Sequence, residues 1–198
     1  MNRGRLIVVE GPDKVGKSTQ VARLEQVLRA RGLDVVASRD PGGEPAAEEL
    51  RRIVKTYELA PWAEAFAFAA ARAQLADRVL RPAFARRAVV ILDRYLPSTL
   101  VYQGPRVGED AIWALDALVG DPAADIVLVL DRAEPLGLDA GDRFEDHGPG
   151  AWAELRDRYR RLAESWGWEL VAAEGPVEAV TERLLARIDA LLVCDDHH

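Results

Sequence analysis

Glycine, lysine and hydroxyl residues near the amino terminus have the spacing of a phosphate-binding loop. The pattern is Gly11-x-x-x-x-Gly16-Lys17-Ser18, and it follows a short apolar run that ends in Glu10. Glycines let successive N–H groups turn toward phosphate oxygens, while the lysine supplies a charge and the serine hydroxyl can ligate Mg²⁺. The sequence therefore predicts a nucleotide site whose phosphates contact Gly11, Pro12, Asp13, Lys14, Val15, Gly16, Lys17, Ser18 and Thr19.

Two apolar runs end in an aspartate that could share the metal ion with Ser18. Asp93 closes one run and Asp131 closes the other. An aspartate at the end of a strand beside such a loop commonly holds Mg²⁺. On the residues alone, both aspartates remain candidates.

Composition limits the class of protein and its partners. The chain has 198 residues, which predicts one domain spanning 1–198, and a formal net charge of −7, which argues against a nucleic-acid polymer as partner. No apolar run approaches the roughly 18 residues that span a bilayer, so no membrane partner is expected. The lone Cys194 can form no internal disulfide, which suits a reducing cytoplasm.

Strand-like runs alternate with helical patterns along the chain. The five runs are Leu6–Glu10, Val35–Ser38, Val89–Asp93, Ile126–Asp131 and Glu169–Ala173. Four of them are nearly all apolar, as expected for strands covered on both faces of a sheet. The helical patterns are Lys17–Arg31, Glu44–Thr56, Pro61–Leu80, Glu109–Val119, Trp152–Trp166 and Val177–Leu192. This alternation predicts an α/β fold with a doubly wound, mainly parallel five-stranded sheet. The glycine- and aspartate-rich stretch Asp139–Gly150 predicts a mobile lid segment at about 139–150, with an ordinary surface connection as the alternative.

Four motifs together resemble the thymidylate (dTMP) kinase family, which consists of P-loop nucleoside monophosphate kinases. They are EGPDKVGKSTQ at residues 10–20, Arg39-Asp40-Pro41-Gly42-Gly43 with Glu49-Leu50-Arg51, Phe68-Ala-Ala-Ala-Arg72-Ala-Gln74, and Asp93-Arg94-Tyr95-x-x-Ser98 with Tyr102-Gln103-Gly104. The resemblance runs from Leu6 to about Gly104 and resumes at Asp142–Glu145. It implies transfer of the ATP γ-phosphoryl group to dTMP, giving dTDP and ADP, in a protein that is usually a homodimer.

The resemblance also implies roles for individual residues. Phe68 would stack on thymine, and Arg72, four residues later on the same helical face, would bond the base oxygen O4. The substrate-binding set is Asp13, Arg39, Arg51, Phe68, Arg72, Arg94, Tyr102 and Gln103, and the catalytic cations are Lys17, Lys14, Arg94 and Arg143. The metal ligands are Ser18 and Asp93, with Asp93 preferred over Asp131 because Arg94 matches the family's phosphate-contacting arginine.

Several purely structural interpretations, in which the residue contacts no ligand, compete with these roles. An aromatic residue at helical spacing is usually buried core, which applies to Phe66 and, without the resemblance, to Phe68. Asp93 and Arg94 could form a structural ion pair at a strand end. Arg39 and Arg51 could be solvated surface charges.

The sequence departs from the family pattern at three places. Asp40 stands where many bacterial members have glutamate, and Glu44 where they have threonine. The stretch before Asp142 lacks the arginine cluster that some bacterial lids carry. Lys14 could compensate for it, although a lysine offers a point charge and not a bidentate fork.

Other functions remain alternatives at this stage. One is a kinase of another monophosphate or of a deoxynucleoside, in which Glu10 or Asp13 could act as the base that a sugar hydroxyl requires. A phosphate acceptor is already ionised and requires none. The remote alternative is a nucleotide-driven switch or partitioning ATPase, in which Phe68 and Arg72 would have no task.

Overall fold

A sheet of five parallel strands lies at the centre of the molecule. The structure is a computed structural model that describes residues 4–120, 122–137 and 149–193. The strands are β1 (Arg5–Glu10), β2 (Val35–Arg39), β3 (Val89–Asp93), β4 (Ile126–Asp131) and β5 (Glu169–Ala172). Their order is β2-β3-β1-β4-β5, and each pairing is parallel. The predicted five-stranded, doubly wound fold is confirmed.

Helices connect the strands and cover both faces of the sheet. They are α1 (Lys17–Ala30), α2 (Pro45–Thr56), α3 (Pro61–Leu75), α4 (Arg81–Ala85), α5 (Leu96–Tyr102), α6 (Gly104–Val107), α7 (Glu109–Val119), α8 (Pro149–Trp166) and α9 (Val177–Val193). The short helices α5 and α6 were not predicted, and α8 begins three residues before the predicted Trp152. Across the described ranges, the chain has no helix that is both long and apolar enough to span a bilayer.

The segment predicted as one helix, Pro61–Leu80, is not a regular α-helix throughout and extends beyond Leu80. After α3 the chain makes a π-helical turn at Ala76–Leu80, in which the Arg81 N–H donates to the Ala76 carbonyl, and then continues as α4. Pro82 has no N–H and would clash inside a regular helix. The wider turn just before it lets the helix continue to Ala85.

The apolar strands are buried on both faces. Leu6 and Val8 of β1 point into one core cluster, whereas Ile7 and Val9 point into the other, because side chains alternate along a strand. The first cluster packs beneath α3, α5, α7 and α8, and the second beneath α1 and α9. Each buried aliphatic side chain contributes roughly 1.5–3 kcal/mol.

Parallel strands bring the predicted chemistry to one edge of the sheet. Val9 of β1 pairs with Asp93 of β3, and the Arg94 N–H donates to the Val9 carbonyl. The carboxyl ends of neighbouring strands are where open α/β sheets bind ligands. The glycine-rich loop and the Asp93-Arg94 pair therefore face the same crevice.

Candidate active site

The loop between β1 and α1 has the backbone that its glycines predict. Gly11 and Gly16 have φ values of 133° and 102°, a region that other residues rarely adopt. A Cβ atom on Gly11 would lie 2.7 Å from the Leu130 carbonyl oxygen, so β4 also requires a glycine there. Lys14 has φ of 59° as well. The loop thus has the conformation that a phosphate cradle needs.

Lys17 lies beneath this loop and is almost fully buried. Its ammonium group donates to the Gly11 carbonyl at 3.0 Å and to the Pro12 carbonyl at 2.7 Å. Burial, and then the nearby charge of Arg94, lower the pKa of Lys17 to about 8, although Asp13 and Asp93 act in the opposite direction. The side chain is therefore positioned as a cation that an anionic ligand would stabilise.

This pKa predicts that ATP binding takes up protons in mildly alkaline solution. Bound phosphates favour charged lysine, so the pKa of Lys17 should rise on binding and ATP affinity should fall as the pH rises through about 8. Titration calorimetry in buffers of different ionisation enthalpy measures the uptake, which should vanish in Lys17→Met. Binding without proton uptake above that pH would contradict the assignment.

Ser18 and Asp93 are brought together as the sequence predicts. The Ser18 hydroxyl donates to the Asp93 carboxylate with an oxygen–oxygen distance of 2.5 Å. Hydroxyl and carboxylate oxygens are suitable Mg²⁺ ligands, and Mg²⁺ usually takes few from the protein and the rest from water and phosphates. The pair therefore fits a magnesium ion beside the loop.

Asp131, the competing aspartate, is engaged elsewhere. Its carboxylate accepts hydrogen bonds from Arg156 at 2.6 Å and from Arg160 at 2.7 Å. Burial alone would raise the pKa of Asp131, but these two arginines outweigh it and hold the pKa below its usual range. Asp131 thus anchors α8 to β4, which favours Asp93 as the metal ligand.

Arg94 connects the loop to a second pocket. It contacts the Asp13 carboxylate, donates to the Ser98 hydroxyl at 2.9 Å and lies 5.5 Å from the centre of the Tyr102 ring. Its φ of 72° is strained for a residue with a side chain, and such strain clusters at functional sites. The alternative interpretation of Arg94 was a structural ion pair with Asp93. Among the described residues, the ion pair that Arg94 forms is with Asp13.

Glu10 is a buried carboxylate whose role the motif alone did not reveal. It is 0% exposed and accepts hydrogen bonds from the backbone N–H groups of Tyr95 and Ser98 and from the hydroxyls of Ser98 and Tyr159. Burial raises the pKa of Glu10, although Arg94 opposes this. Glu10 therefore organises the turn after β3 and is too enclosed to act as a base.

Asp13 is equally unsuited to act as a base. Its two carboxylate oxygens contact Arg94 and the Tyr102 hydroxyl. Burial alone would raise the pKa of Asp13, but Arg94 and Lys17 outweigh it and the pKa lies below its usual range. The geometry thus disfavours the deoxynucleoside kinase alternative, which needs such a base.

A second pocket opens beside the loop cleft. Six predicted substrate residues line it: Asp13, Arg51, Phe68, Arg94, Tyr102 and Gln103. Arg39 lines the adjoining loop cleft together with Lys14, Lys17 and Ser18, and three residues border both spaces: Asp13, Arg51 and Arg94. Two phosphorylated ligands could therefore meet at this shared border, and Phe68 lines the second pocket but not the loop cleft.

Arg72 is placed differently from expectation. It is 2% exposed and is not among the described residues that line the second pocket. Its guanidinium donates to Asp40 at 2.8 Å and to the Thr99 hydroxyl, while Asp116 lies 3.6 Å away. Asp40 and Thr99 themselves line the pocket, so Arg72 supports its wall from behind. Direct bonding of Arg72 to a base remains a prediction.

Arg72→Met should destabilise the fold in a pH-dependent manner. Burial raises the pKa of Asp40 and of Asp116 even with Arg72 present. Because Arg72 lowers both pKa values, the loss of Arg72 would raise them further. A raised carboxyl pKa costs stability above the unfolded-state pKa, and the cost disappears at lower pH as the group protonates. We expect the free energy of unfolding to fall by about 3–5 kcal/mol at mildly alkaline pH.

Urea unfolding at two pH values measures this effect. The loss should shrink in mildly acidic solution, while Arg78→Met, which removes an exposed arginine from the π-helical turn, should change little. A loss independent of pH would mean that packing, and not the unpaired carboxylates, determines the cost.

Three further predicted residues are held by neighbours at the pocket rim. Arg39 donates to Glu48 at 2.9 Å, Arg51 donates to the Pro41 carbonyl at 3.0 Å, and Gln103 donates to Glu64 at 2.9 Å. These contacts orient the side chains of Arg39 at the end of β2, of Arg51 within α2 and of Gln103 just after α5. Arg39 lines the loop cleft and Arg51 lines both spaces, so their phosphate-binding roles remain predictions.

Glu44, one of the departures from the family pattern, has a local role. Its carboxylate accepts a hydrogen bond from the Ala47 N–H and caps the amino terminus of α2, so this helix begins at Pro45. Arg143 and residues 139–148 of the predicted lid lie outside the described residues, as does Cys194. Pro149 and Gly150, the last two residues of that predicted lid, belong to α8.

Sequence analysis missed Ser98, Thr99, Trp152 and Tyr159 as site residues. Ser98 was part of a quoted motif, and its position four residues after Arg94 was the available signal. Trp152 and Tyr159 lie in α8 and contact residues of β1 and the loop more than a hundred positions away. The sequence contains no local pattern that identifies such pairs.

A glycine-rich phosphate loop at the carboxyl ends of a parallel sheet, with a second pocket adjoining it, places the chain in the P-loop kinase class of α/β proteins. The thymidylate kinase family model matches residues 9–184. A thymidylate kinase of Rhizorhabdus wittichii is 39% identical over 96% of this chain and 99% of that protein. One of Pseudomonas putida is 40% identical over 94% of this chain and 95% of that protein. The chain therefore belongs to the thymidylate kinase family.

A solved structure shows the same fold. The crystal structure of thymidylate kinase from Ehrlichia chaffeensis matches with a TM-score of 0.78 at 24% identity. The match covers 94% of this chain and 99% of that one. The resemblance inferred from four motifs thus extends over nearly the whole chain.

Proposed function

We propose that this protein transfers the γ-phosphoryl group of ATP to dTMP, giving dTDP and ADP. The observation that carries the proposal is the shared border of the two clefts, formed by Asp13, Arg51 and Arg94. ATP would place its phosphates in the loop, and dTMP would occupy the pocket with its phosphate toward Arg94. Family membership supports both the donor and the acceptor.

The chain contributes positioning and positive charge to this reaction. An acceptor phosphate is ionised near neutral pH, so no side chain needs to remove a proton. Lys17, Lys14 and Arg94 line the loop cleft, where the two ligands would meet. Charge spreads over the transferred group in the transition state of such a reaction. Cations held there before the reaction stabilise that charge without reorganisation.

Mg²⁺ would be held by the Ser18 hydroxyl and the Asp93 carboxylate. It would supply positive charge that neutralises the phosphates. The role of the protein is to keep both oxygens at the mouth of the loop, at the carboxyl end of β3.

Base recognition would depend on the aromatic wall of the second pocket. Phe68 lines the pocket together with Tyr102, Gln103 and Thr99. A base stacked on an aromatic ring gains about 1–3 kcal/mol. Thr99 is held by Arg72, so the arginine can influence specificity through this hydroxyl as well as through direct contact.

An acceptor panel tests the proposed function. Purified protein is incubated with ATP and Mg²⁺ and, separately, with dTMP, dUMP, other nucleoside monophosphates and thymidine, and the diphosphate or monophosphate product is quantified. We expect dTMP to give the highest kcat/KM and thymidine to give no product. A higher kcat/KM for another acceptor would reassign the substrate, and ATP hydrolysis that no acceptor stimulates would favour a nucleotide switch.

We propose that two copies associate through α3. Trp62, Phe66 and Ala70 recur every four residues on an exposed face of this helix, and Trp62 and Phe66 are 48% and 55% exposed. An exposed apolar stripe of this kind marks a protein interface. Sedimentation should show a dimer that Phe66→Glu converts to a monomer, and a monomeric wild-type protein would refute the proposal.

A further inference from the structure

Four consecutive carbonyl groups of the phosphate loop are held by hydrogen-bond donors. Lys17 donates to the carbonyls of Gly11 and Pro12, and the Leu136 N–H donates to the Lys14 carbonyl at 2.7 Å. The Asp13 carbonyl accepts from the indole N–H of Trp152 at 2.9 Å. A loop that turns its N–H groups toward an anion directs its carbonyls outward, where each needs a donor.

Trp152 reaches the loop from a distant part of the chain. It lies in the first turns of α8, 139 positions after Asp13, and is 7% exposed. A buried indole N–H normally has a partner, and here the partner is the backbone of the loop itself. The contact therefore connects α8 to the centre of the predicted ATP site.

Asp13 lies at the junction of the two clefts. Its side chain contacts Arg94 and the Tyr102 hydroxyl, and it lines both the loop cleft and the second pocket. A shift of the Asp13 backbone would move these partners and the loop amides together. We propose that Trp152 is a positioning residue that holds the Asp13 carbonyl and thereby aligns the loop with the acceptor pocket.

The same helix contains a matched control. Trp166 lies at the other end of α8, is 48% exposed and packs on Trp113 with ring centres 4.5 Å apart. Fourteen positions separate it from Trp152, which is about 21 Å along the helix axis. Trp166→Phe therefore removes an indole N–H from α8 without touching the loop.

Steady-state kinetics with ATP and dTMP provide the first test, which rests on the proposed function. Trp152→Phe keeps an aromatic ring but removes the donor, and we expect kcat to fall about tenfold because small misplacements of reacting groups are costly. The KM values should change much less, and Trp166→Phe should match the wild type. A kcat for Trp152→Phe equal to that of Trp166→Phe would overturn the proposal.

Hydrogen–deuterium exchange of the ligand-free protein gives a second readout, which requires no activity. Exchange of the peptide that covers residues 11–18 should be several-fold faster in Trp152→Phe than in Trp166→Phe. A fall in kcat without faster loop exchange would also overturn the proposal, because the effect would then not act through the loop. If the wild type does not phosphorylate dTMP, the proposed function fails, and exchange alone decides the role of Trp152.

If Trp152→Phe does not fold, a replacement closer in size to tryptophan provides the same test. Replacement of Trp152 by 3-benzothienylalanine substitutes sulfur for the N–H group and preserves the size of the ring system. The same fall in kcat and the same increase in loop exchange are expected. Wild-type values for both would show that the N–H group has no positioning role.

Discussion

Lys17→Ala is expected to lower turnover by about 10³-fold or more, a larger loss than that of a single oxyanion-hole donor, and to leave the fold intact. Lys17 is buried beneath the loop, and its ammonium group lies within 3.0 Å of two loop carbonyls. In the proposed role, a fixed charge at this position would stabilise the transferring phosphoryl group more than it would stabilise bound ATP. Alanine is a good helix former at the start of α1, so the helix should persist.

Production of dTDP by the purified variant, together with circular dichroism and thermal unfolding, measures this effect. Arg29→Ala is the matched control, because it removes a cation from the last turn of the same helix, away from the loop. Its turnover should equal that of the wild type. A folded Lys17→Ala protein with nearly normal turnover would reject the assigned role.

Lys14→Ala should reduce kcat by roughly 10²-fold, the scale of one lost electrostatic donor. Lys14 lines the loop cleft beside Lys17, and its backbone is held in the loop by the hydrogen bond from Leu136 to its carbonyl. A cation on a loop already wrapped around the phosphates needs no segment closure to reach them. Affinity for ATP should change less than kcat, because the charge acts mainly in the transition state.

Arg143→Ala is the comparison that tests this choice of cation. Arg143 lies among Asp139, Asp142, Glu145 and Asp146 in the sequence, and these carboxylates can pair with its guanidinium. Its loss should therefore cost less turnover and act mainly on ATP affinity. Lys14→Arg, which retains the charge, should keep more activity than Lys14→Ala. A larger fall in kcat from Arg143→Ala would place the catalytic cation at position 143.

Much of the fold was predictable because its signals are local. Apolar runs such as Leu6–Glu10 predict strands buried on both faces, and their alternation with helical patterns predicts a parallel sheet. The phosphate loop was predictable because Gly11 and Gly16 occupy positions where the backbone excludes other residues. Boundaries were less certain: the helical pattern Pro61–Leu80 predicted a helix that continues through a π-helical turn to Ala85.

The surroundings of the predicted residues required the tertiary structure. Arg72 was expected to contact a base, but Asp40, from a different part of the chain, holds its guanidinium behind the pocket wall. The identities of Arg72 and Asp40 do not reveal whether the guanidinium faces a ligand or a neighbouring carboxylate, because both arrangements satisfy its charge. Asp131 and Asp93 likewise end strands in the same way, and in the structure Asp131 is held by the arginines of α8 whereas Asp93 accepts a hydrogen bond from Ser18.

The sequence by itself determined the loop, the order of strands and helices, and the type of chemistry, because these depend on backbone preferences and side-chain periodicity over a few neighbouring residues. Tertiary structure alone decided which groups hold the site in place. Tyr159 reaches Glu10 across 149 positions, and Trp152 reaches Asp13 across 139. Such contacts form only when helices pack on the sheet, since buried donors and acceptors must then find partners that are distant along the chain.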